Sequence, residues 1–233
     1  MSGYQTHMFI GGVAGLALVR ALAASGQPPA LGFTPVFVQH FGRNGPLLAD
    51  LAVIAASALL ATVPDIDEPG SFIARRAQAV IALAVIALAV IGAVGAGLPP
   101  AWWLVATFVG GLVGGLAGYA FVWGIRRAAG GHRRFTHSLV LAAACGLVAV
   151  ALWGLGLRGW PLIPAALAWA IGVHDIGDLV TPNGLPLLHP FSQRSFRLLP
   201  EPLCRIGEPL VALLALLVVL ALVGVLRVPV GWR

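Results

Sequence analysis

Charged residues are scarce in this 233-residue chain, and lysine is absent altogether. Only 9% of the residues are charged, against about 25% in a typical soluble domain, and the mean hydropathy is +0.95. So few charges cannot cover the surface of a soluble fold of this size, which excludes a water-soluble globular protein. Without lysine the chain also cannot form a P-loop nucleotide site, because that motif requires one.

Cysteine is nearly missing as well: Cys145 lies in an apolar run and Cys204 in a polar segment. This excludes a disulfide framework and a CxxC metal site. Neither the HExxH motif of zinc proteases nor the GxSxG elbow of serine hydrolases occurs. The Arg residues cluster between apolar runs, which is typical of membrane-flanking loops and not of a nucleic-acid surface. We expect membrane lipids as partners and no nucleic acid.

Apolar segments long enough to cross a bilayer, which takes about 20 residues, recur along the chain. The seven predicted spans are 8–24, 47–63, 77–98, 101–125, 138–157, 161–180 and 208–226, with six or eight spans as alternatives. We predict an all-α polytopic transmembrane bundle that forms one domain over 1–233. The first span is not expected to be a cleaved signal, because no positive charge precedes it. Gly110, Gly114 and Gly118, spaced by four, predict close helix packing.

The Arg residues also predict an orientation. With seven spans, nine Arg fall on the N-terminal side of the membrane and four on the other. The positive-inside rule then places the N-terminal side in the cytoplasm of a bacterial-type inner membrane. Five of the six His and four of the five Asp fall on this same side. We therefore predict one metal site at the cytoplasmic helix ends; the oligomeric state stays open.

The strongest chemical motif is Gly172-Val173-His174-Asp175-Ile176-Gly177-Asp178. His174 and Asp178 are four residues apart on a helix, so they share a face and can hold one metal ion or two adjacent ions. Asp175 points about 100° away and is expected to act around the ligands, on the water. An Asp near a bilayer centre costs about 2.5–3.5 kcal/mol, which argues for a function. A structural His–Asp hydrogen bond is the alternative.

Two further motifs carry candidate ligands. In Val63-Pro64-Asp65-Ile66-Asp67-Glu68, Pro64 ends a helix, and an extended chain would project Asp65 and Asp67 to one side, where a divalent cation would relieve their repulsion. A solvated acidic turn is the alternative. In Gly131-His132-Arg133-Arg134-Phe135-Thr136-His137-Ser138, the His can ligate metal and the Arg can bind phosphate oxygens or anionic lipid.

Together with His7, these motifs resemble the YdjM-like membrane-bound metal-dependent hydrolases, from His7 to about Phe191. Arg134 stands where that family's pattern has Gly. The family is similar in turn to zinc-dependent phospholipases C and single-strand zinc nucleases. The resemblance implies phosphoester hydrolysis, with a phospholipid or other lipid phosphate as substrate. It also implies a zinc site formed by His7, Asp65, His137, His174 and Asp178.

The expected function is metal-dependent hydrolysis by activated water, with zinc as the first choice and manganese or iron as alternatives. The candidate ligands are His7, Asp65, Asp67, His132, His137, His174 and Asp178. The candidate catalytic residues are Asp67, Asp175, Arg133 and Arg194. The alternative is a non-catalytic membrane protein, such as a stress-response partner or scaffold, with a structural or sensing metal site. An ion transporter is disfavoured, because the central spans are almost purely apolar.

Overall fold

The computed structural model of the chain describes residues 3–24, 34–157, 160–204 and 206–222. These residues form helices joined by short loops, and within these ranges no β-strand occurs. The helices are α1 (Tyr4–Ala24), α2 (Thr34–Phe41), α3 (Gly45–Leu60), α4 (Phe72–Gly95), α5 (Pro100–Ala128), α6 (Leu139–Gly154), α7 (Leu162–Asp178), α8 (Glu201–Cys204) and α9 (Gly207–Leu222). The predicted all-α class is confirmed.

Four stretches of this part of the chain are long and apolar enough to cross a membrane. They are Tyr4–Ala24, Val38–Asp67, Phe72–Gly95 and Pro100–Ala128. They contain or largely overlap the first four predicted spans. At 16 residues, α6 is about 24 Å long, shorter than a hydrocarbon core of about 30 Å. The predicted span 208–226 runs past Leu222, outside the described residues.

Two compact units make up the fold, and the first comprises Met1–Val63 together with His137–Arg233. Here α1 packs against α3, α7 and α9. Gly11 permits the close approach of α1 and α3, since a Cβ there would lie 2.6 Å from the Ser57 carbonyl oxygen. The Trp169 indole donates to Ser57 Oγ over 2.8 Å, and Ser57 Oγ donates to the Gly11 carbonyl over 2.7 Å. These bonds join the three helices α1, α3 and α7.

The second unit, Pro64–Thr136, is a hairpin of α4 and α5. Its helices touch where the three glycines of α5 face α4. A Cβ at Gly114 would lie 2.7 Å from Ala82 Cα, and one at Gly118 would lie 2.9 Å from Gln78 Cα. The predicted packing role of these glycines is therefore confirmed. A hairpin of this kind brings the segment before α4 and the segment after α5 to the same end.

The segment between the first two predicted spans contains helix α2, in which Pro35 occupies the first turn, where its missing N–H is harmless. One local prediction is wrong. Residues Val63–Asp67 form a 3-10 turn and not an extended strand. With three residues per turn, Asp65 and Asp67 are separated by about 240° around the axis, so they do not project to one side.

Candidate metal centre

Buried ionisable side chains gather in the first unit where the start of α1 meets the end of α7. His7 lies in the first turn of α1, while His174, Asp175 and Asp178 lie in the last turns of α7. His137 immediately precedes Ser138, the N-cap of α6, whose hydroxyl accepts from the Leu141 N–H. All five ionisable side chains of this group are at most 1% exposed. We call His7, His137, His174, Asp175 and Asp178 the buried cluster.

The carboxylate of Asp178 is the centre of this cluster. Its Oδ1 lies 3.5 Å from His7 Nε2, and its Oδ2 lies 3.7 Å from His174 Nε2. His137 Nε2 is 4.0 Å from the same Oδ2. His7, His174 and Asp178 each offer a ligand atom, and these atoms all lie within 4.8 Å of one another.

These separations fit a shared ion better than direct hydrogen bonds, which span about 2.7–3.2 Å. Ligands held about 2.0–2.2 Å from a tetrahedral zinc ion are about 3.3–3.6 Å apart, close to the shortest distances seen here. Imidazole nitrogen and carboxylate oxygen are both good zinc ligands, and they also suit manganese and iron. The donor set of His7, His174 and Asp178 therefore fits a divalent transition metal.

Hydrogen bonding and ring contacts orient the histidines for such a role. His174 Nδ1 lies 2.8 Å from the Ala61 carbonyl oxygen. Because a carbonyl only accepts, Nδ1 carries the proton and the neutral ring keeps its lone pair on Nε2, the nitrogen that faces Asp178. The His7 ring stacks on His174 with centroids 3.8 Å apart, and His137 meets His174 edge-on at 4.7 Å.

Gly177 leaves the space that His7 occupies. A Cβ at this position would lie 2.9 Å from His7 Nδ1 and 3.0 Å from His7 Cε1. Real Cβ contacts are essentially never shorter than 3.0 Å, so the imidazole can approach α7 this closely only because residue 177 has no side chain. Gly177 is thus part of how the site is built, although it offers no ligand atom.

Asp175 is buried beside the ligands. Its side chain is 1% exposed, and neither carboxylate oxygen has a hydrogen-bond partner among the described residues. Burying a carboxylate without such partners is costly. The prediction that Asp175 acts around the ligands on α7 agrees with this burial, although its catalytic role stays a prediction.

The remaining predicted site residues have different surroundings. Asp65, Asp67, His132 and Arg133 belong to the second unit, where Asp67 Oδ1 lies 2.7 Å from His132 Nδ1. Arg133 adopts a positive φ of 57° in the turn after α5. In the first unit Arg194 is exposed, with its guanidinium 5.8 Å from the centre of the Phe196 ring.

Three groups that hold the predicted site residues in place were given no role from the sequence: the Ala61 carbonyl, Gly177 and Thr136. The Ala61 carbonyl has no side-chain signal, because any residue supplies a backbone oxygen. Gly177 was visible in the His174 motif, and its place one residue before Asp178 could have indicated a close approach. Thr136, whose hydroxyl donates to Asp67 Oδ2 over 2.6 Å, was quoted in its motif without a role. No spacing rule could have found this contact, because residues 132–136 lie in a turn and not in an α-helix.

The fold and the buried cluster define a class: an all-helical membrane protein with a candidate metal centre of histidine and aspartate. The sequence matches the model of the YdjM inner membrane protein family over residues 1–230. The chain therefore belongs to the YdjM inner membrane protein family. No curated protein and no solved structure matches it.

Proposed function

We propose that this protein is a membrane-embedded metal-dependent hydrolase that cleaves a phosphoester of a phospholipid or other lipid phosphate. The observation that carries the proposal is the Asp178 carboxylate with three histidine Nε2 atoms 3.5–4.0 Å away. In this proposal His7, His174 and Asp178 hold a zinc ion, and His137 is a further ligand. When bound, such an ion polarises a phosphoryl oxygen and makes water more acidic.

The chain's own residues would orient the reactants. Asp175, a buried carboxylate beside the ligands on α7, is proposed to orient the attacking water. Asp67 is proposed to assist proton removal, and Arg133 and Arg194 to stabilise the charge that develops on the phosphate. Asp65 and His132 remain candidate ligands, as the family resemblance and the motif chemistry suggested. The metal would make the largest of these contributions to the rate, because an uncoordinated water is a poor nucleophile at neutral pH.

A lipid substrate is supported by an apolar cavity in the first unit. This cavity has a volume of about 490 Å³ and is lined by residues of α1, α9, the end of α7 and the segment after it, including Ile10, Ile176, Val180 and Leu214. Ile176 and Val180 each stand two residues from Asp178, and Ile10 stands three residues after His7. An acyl chain in the cavity would therefore leave its phosphate near the ligands, with entry from the side between helices.

We further propose the seven-span topology, with the N-terminus and the buried cluster on the cytoplasmic side. The distribution of Arg supports this orientation. The spans at 138–157 and 161–180 would be the short ones. Short spans are accommodated by local thinning of the bilayer, which would draw the headgroups toward the helix ends and suit a site that takes a lipid phosphate.

A second candidate is a closed, non-catalytic metal site with a structural or sensing role. The complete burial of the cluster favours it, because structural zinc sites are closed and catalytic ones keep an open position. The two candidates share ligands and differ only in turnover.

The test begins with the metal content of the detergent-purified protein, measured by mass spectrometry. The proposal expects about one zinc per chain in the wild type and a loss of that zinc in His174→Ala and Asp178→Asn. His40→Ala is the matched control, because His40 is an exposed histidine on α2. Release of phosphate or of a phosphorylated headgroup from mixed lipid vesicles then separates the two candidates. Zinc without turnover would favour the closed site, and a wild type without transition metal would refute both.

A further inference from the structure

An irregular loop in the first unit, residues 182–199, follows α7 and also contacts the start of α6. Leu185 and Phe196 exchange backbone hydrogen bonds of 2.9 and 2.8 Å, which close the loop at its base. The Leu139 N–H, at the first residue of α6, donates to the Leu187 carbonyl over 3.0 Å. The loop is therefore fixed at the ends of two helices, where α7 stops and α6 begins.

The side chains at the tip of this loop are apolar and exposed. Phe191 is 84% exposed and Leu188 is 47% exposed, and the Ser192 N–H donates to the Leu188 carbonyl over 3.0 Å, which folds the tip back on itself. On the spanning helices exposed apolar side chains face lipid, but an irregular backbone that faces lipid does not lie in the hydrocarbon core. The tip therefore lies either in water or among the headgroups, and exposed apolar side chains of this size favour the second.

The loop carries positive charge and contains no Asp or Glu. Arg194 and Arg197 are its two Arg residues, and both are exposed. The Arg194 guanidinium lies 5.8 Å from the centre of the Phe196 ring, and Arg197 Nη1 donates to the Pro182 carbonyl over 3.2 Å. Guanidinium groups bind phosphate oxygens in pairs, and a surface of anionic lipid attracts each Arg near it. An apolar tip next to two Arg residues thus matches the headgroup layer of an anionic phospholipid membrane in both polarity and charge.

We propose that this loop is an interfacial anchor: Phe191 and Leu188 insert at the boundary between headgroups and acyl chains, and Arg194 binds phosphates of anionic phospholipids in the surrounding bilayer. The Leu198 N–H donates to the Leu179 carbonyl, one residue after α7, over 2.8 Å. Anchoring the loop would therefore hold the end of α7 at the level of the headgroups. For Arg194 the phosphate of a bilayer lipid and that of a substrate have the same chemistry, so the tests follow contact with the bilayer and need no turnover.

The first test measures the depth of the tip. The full chain with Cys145→Ala and Cys204→Ala carries a fluorescent label at Phe191→Cys, in vesicles of equal parts phosphatidylcholine and phosphatidylglycerol. We expect lipids with a nitroxide near the headgroup to quench this label more than lipids with a nitroxide at the chain end. The reference is Leu147→Cys, 71% exposed in the middle of α6, which should show the reverse order. A label at position 191 that is quenched best from the chain ends, only from water, or by none of these would overturn the proposal.

The second test concerns the headgroup charge. Arg194→Gln should lower the ratio of inserted to withdrawn loop, read from lipid-borne against water-soluble quenching, by about fivefold in the mixed vesicles. Phosphatidylcholine alone should lower this ratio in the parent protein too. The matched control is Arg43→Gln, which should leave the ratio unchanged. Arg43 is an exposed Arg before α3, at the end of that helix opposite Ala61, whose carbonyl contacts His174. Equal ratios in both kinds of vesicle and in Arg194→Gln would overturn the binding of anionic headgroups.

Discussion

Gly177→Ala is the sharpest test of how the candidate metal centre is built. The new Cβ would lie 2.9 Å from His7 Nδ1, whereas an ordinary contact begins at 3.4 Å. His7 or α1 must therefore move by about 0.5 Å, which is the limit within which a site of this kind keeps its geometry. We expect the affinity for zinc to fall by about 10- to 100-fold, as it does when a ligand loses its orientation.

The same substitution should change the stability of the metal-free protein only slightly. Alanine is favoured over glycine in a helix by about 1 kcal/mol, and this gain opposes an overpacking cost of about 1–3 kcal/mol. A large loss of zinc affinity with a small change in thermal unfolding would thus be specific for the displaced imidazole.

The matched control is Gly172→Ala, five residues earlier on the same helix. A Cβ at Gly172 meets nothing within 4 Å, so this variant should gain the helix preference and bind zinc as the wild type does. Affinities would be measured by competition with a chromophoric chelator, and unfolding by calorimetry in detergent. Equal zinc affinities in the two alanine variants would refute the role of His7 as a ligand in this geometry.

Three further predictions follow from the same structure. A chelator should lower the unfolding temperature of the wild type and not that of His174→Ala, because zinc at 100 times its Kd stabilises by about 2.7 kcal/mol; equal shifts would argue against the site. Metal-free Asp175→Asn should unfold at the temperature of the metal-free wild type or above, since the substitution removes a buried charge. The zinc-loaded variant should nevertheless lose most phosphate release. A marked fall in unfolding temperature would show that the carboxylate has a structural role. Gly114→Ala should destabilise the α4–α5 hairpin by about 1–3 kcal/mol, because its Cβ would meet the Ala82 backbone, whereas Gly115→Ala should only gain the helix preference of alanine; unfolding midpoints that coincide would contradict this packing.

The sequence predicted those features of the structure that a local pattern of residues determines. Long apolar runs predicted the helices, since a chain with this composition can bury its backbone polar groups only by hydrogen bonding within helices. The i, i+4 spacing of His174 and Asp178 predicted their shared face, because that spacing alone sets their angular separation on a helix.

Local patterns did not predict those features that depend on contacts between residues far apart in the sequence. The 3-10 turn at Asp65 and Asp67 depends on Ser71, whose hydroxyl donates to the Asp65 carbonyl over 2.7 Å. The hydrogen bonds that Asp67 makes with His132 and Thr136 come from residues more than 60 positions away. No spacing rule relates such segments. The approach of α1 to α7 at Gly177 is likewise a tertiary contact that a single glycine in a motif does not specify.

The placement of the acidic residues on α7 argues for a cation independently of the ligand distances. Asp175 and Asp178 lie in the last turn of α7, where the helix dipole is negative and where basic residues are favoured. This last turn contains no Lys or Arg. Two buried carboxylates at the negative end of a helix repel each other and the dipole, so both effects destabilise the metal-free fold. In the proposed site, a divalent cation bound at Asp178 would offset both of these destabilising effects.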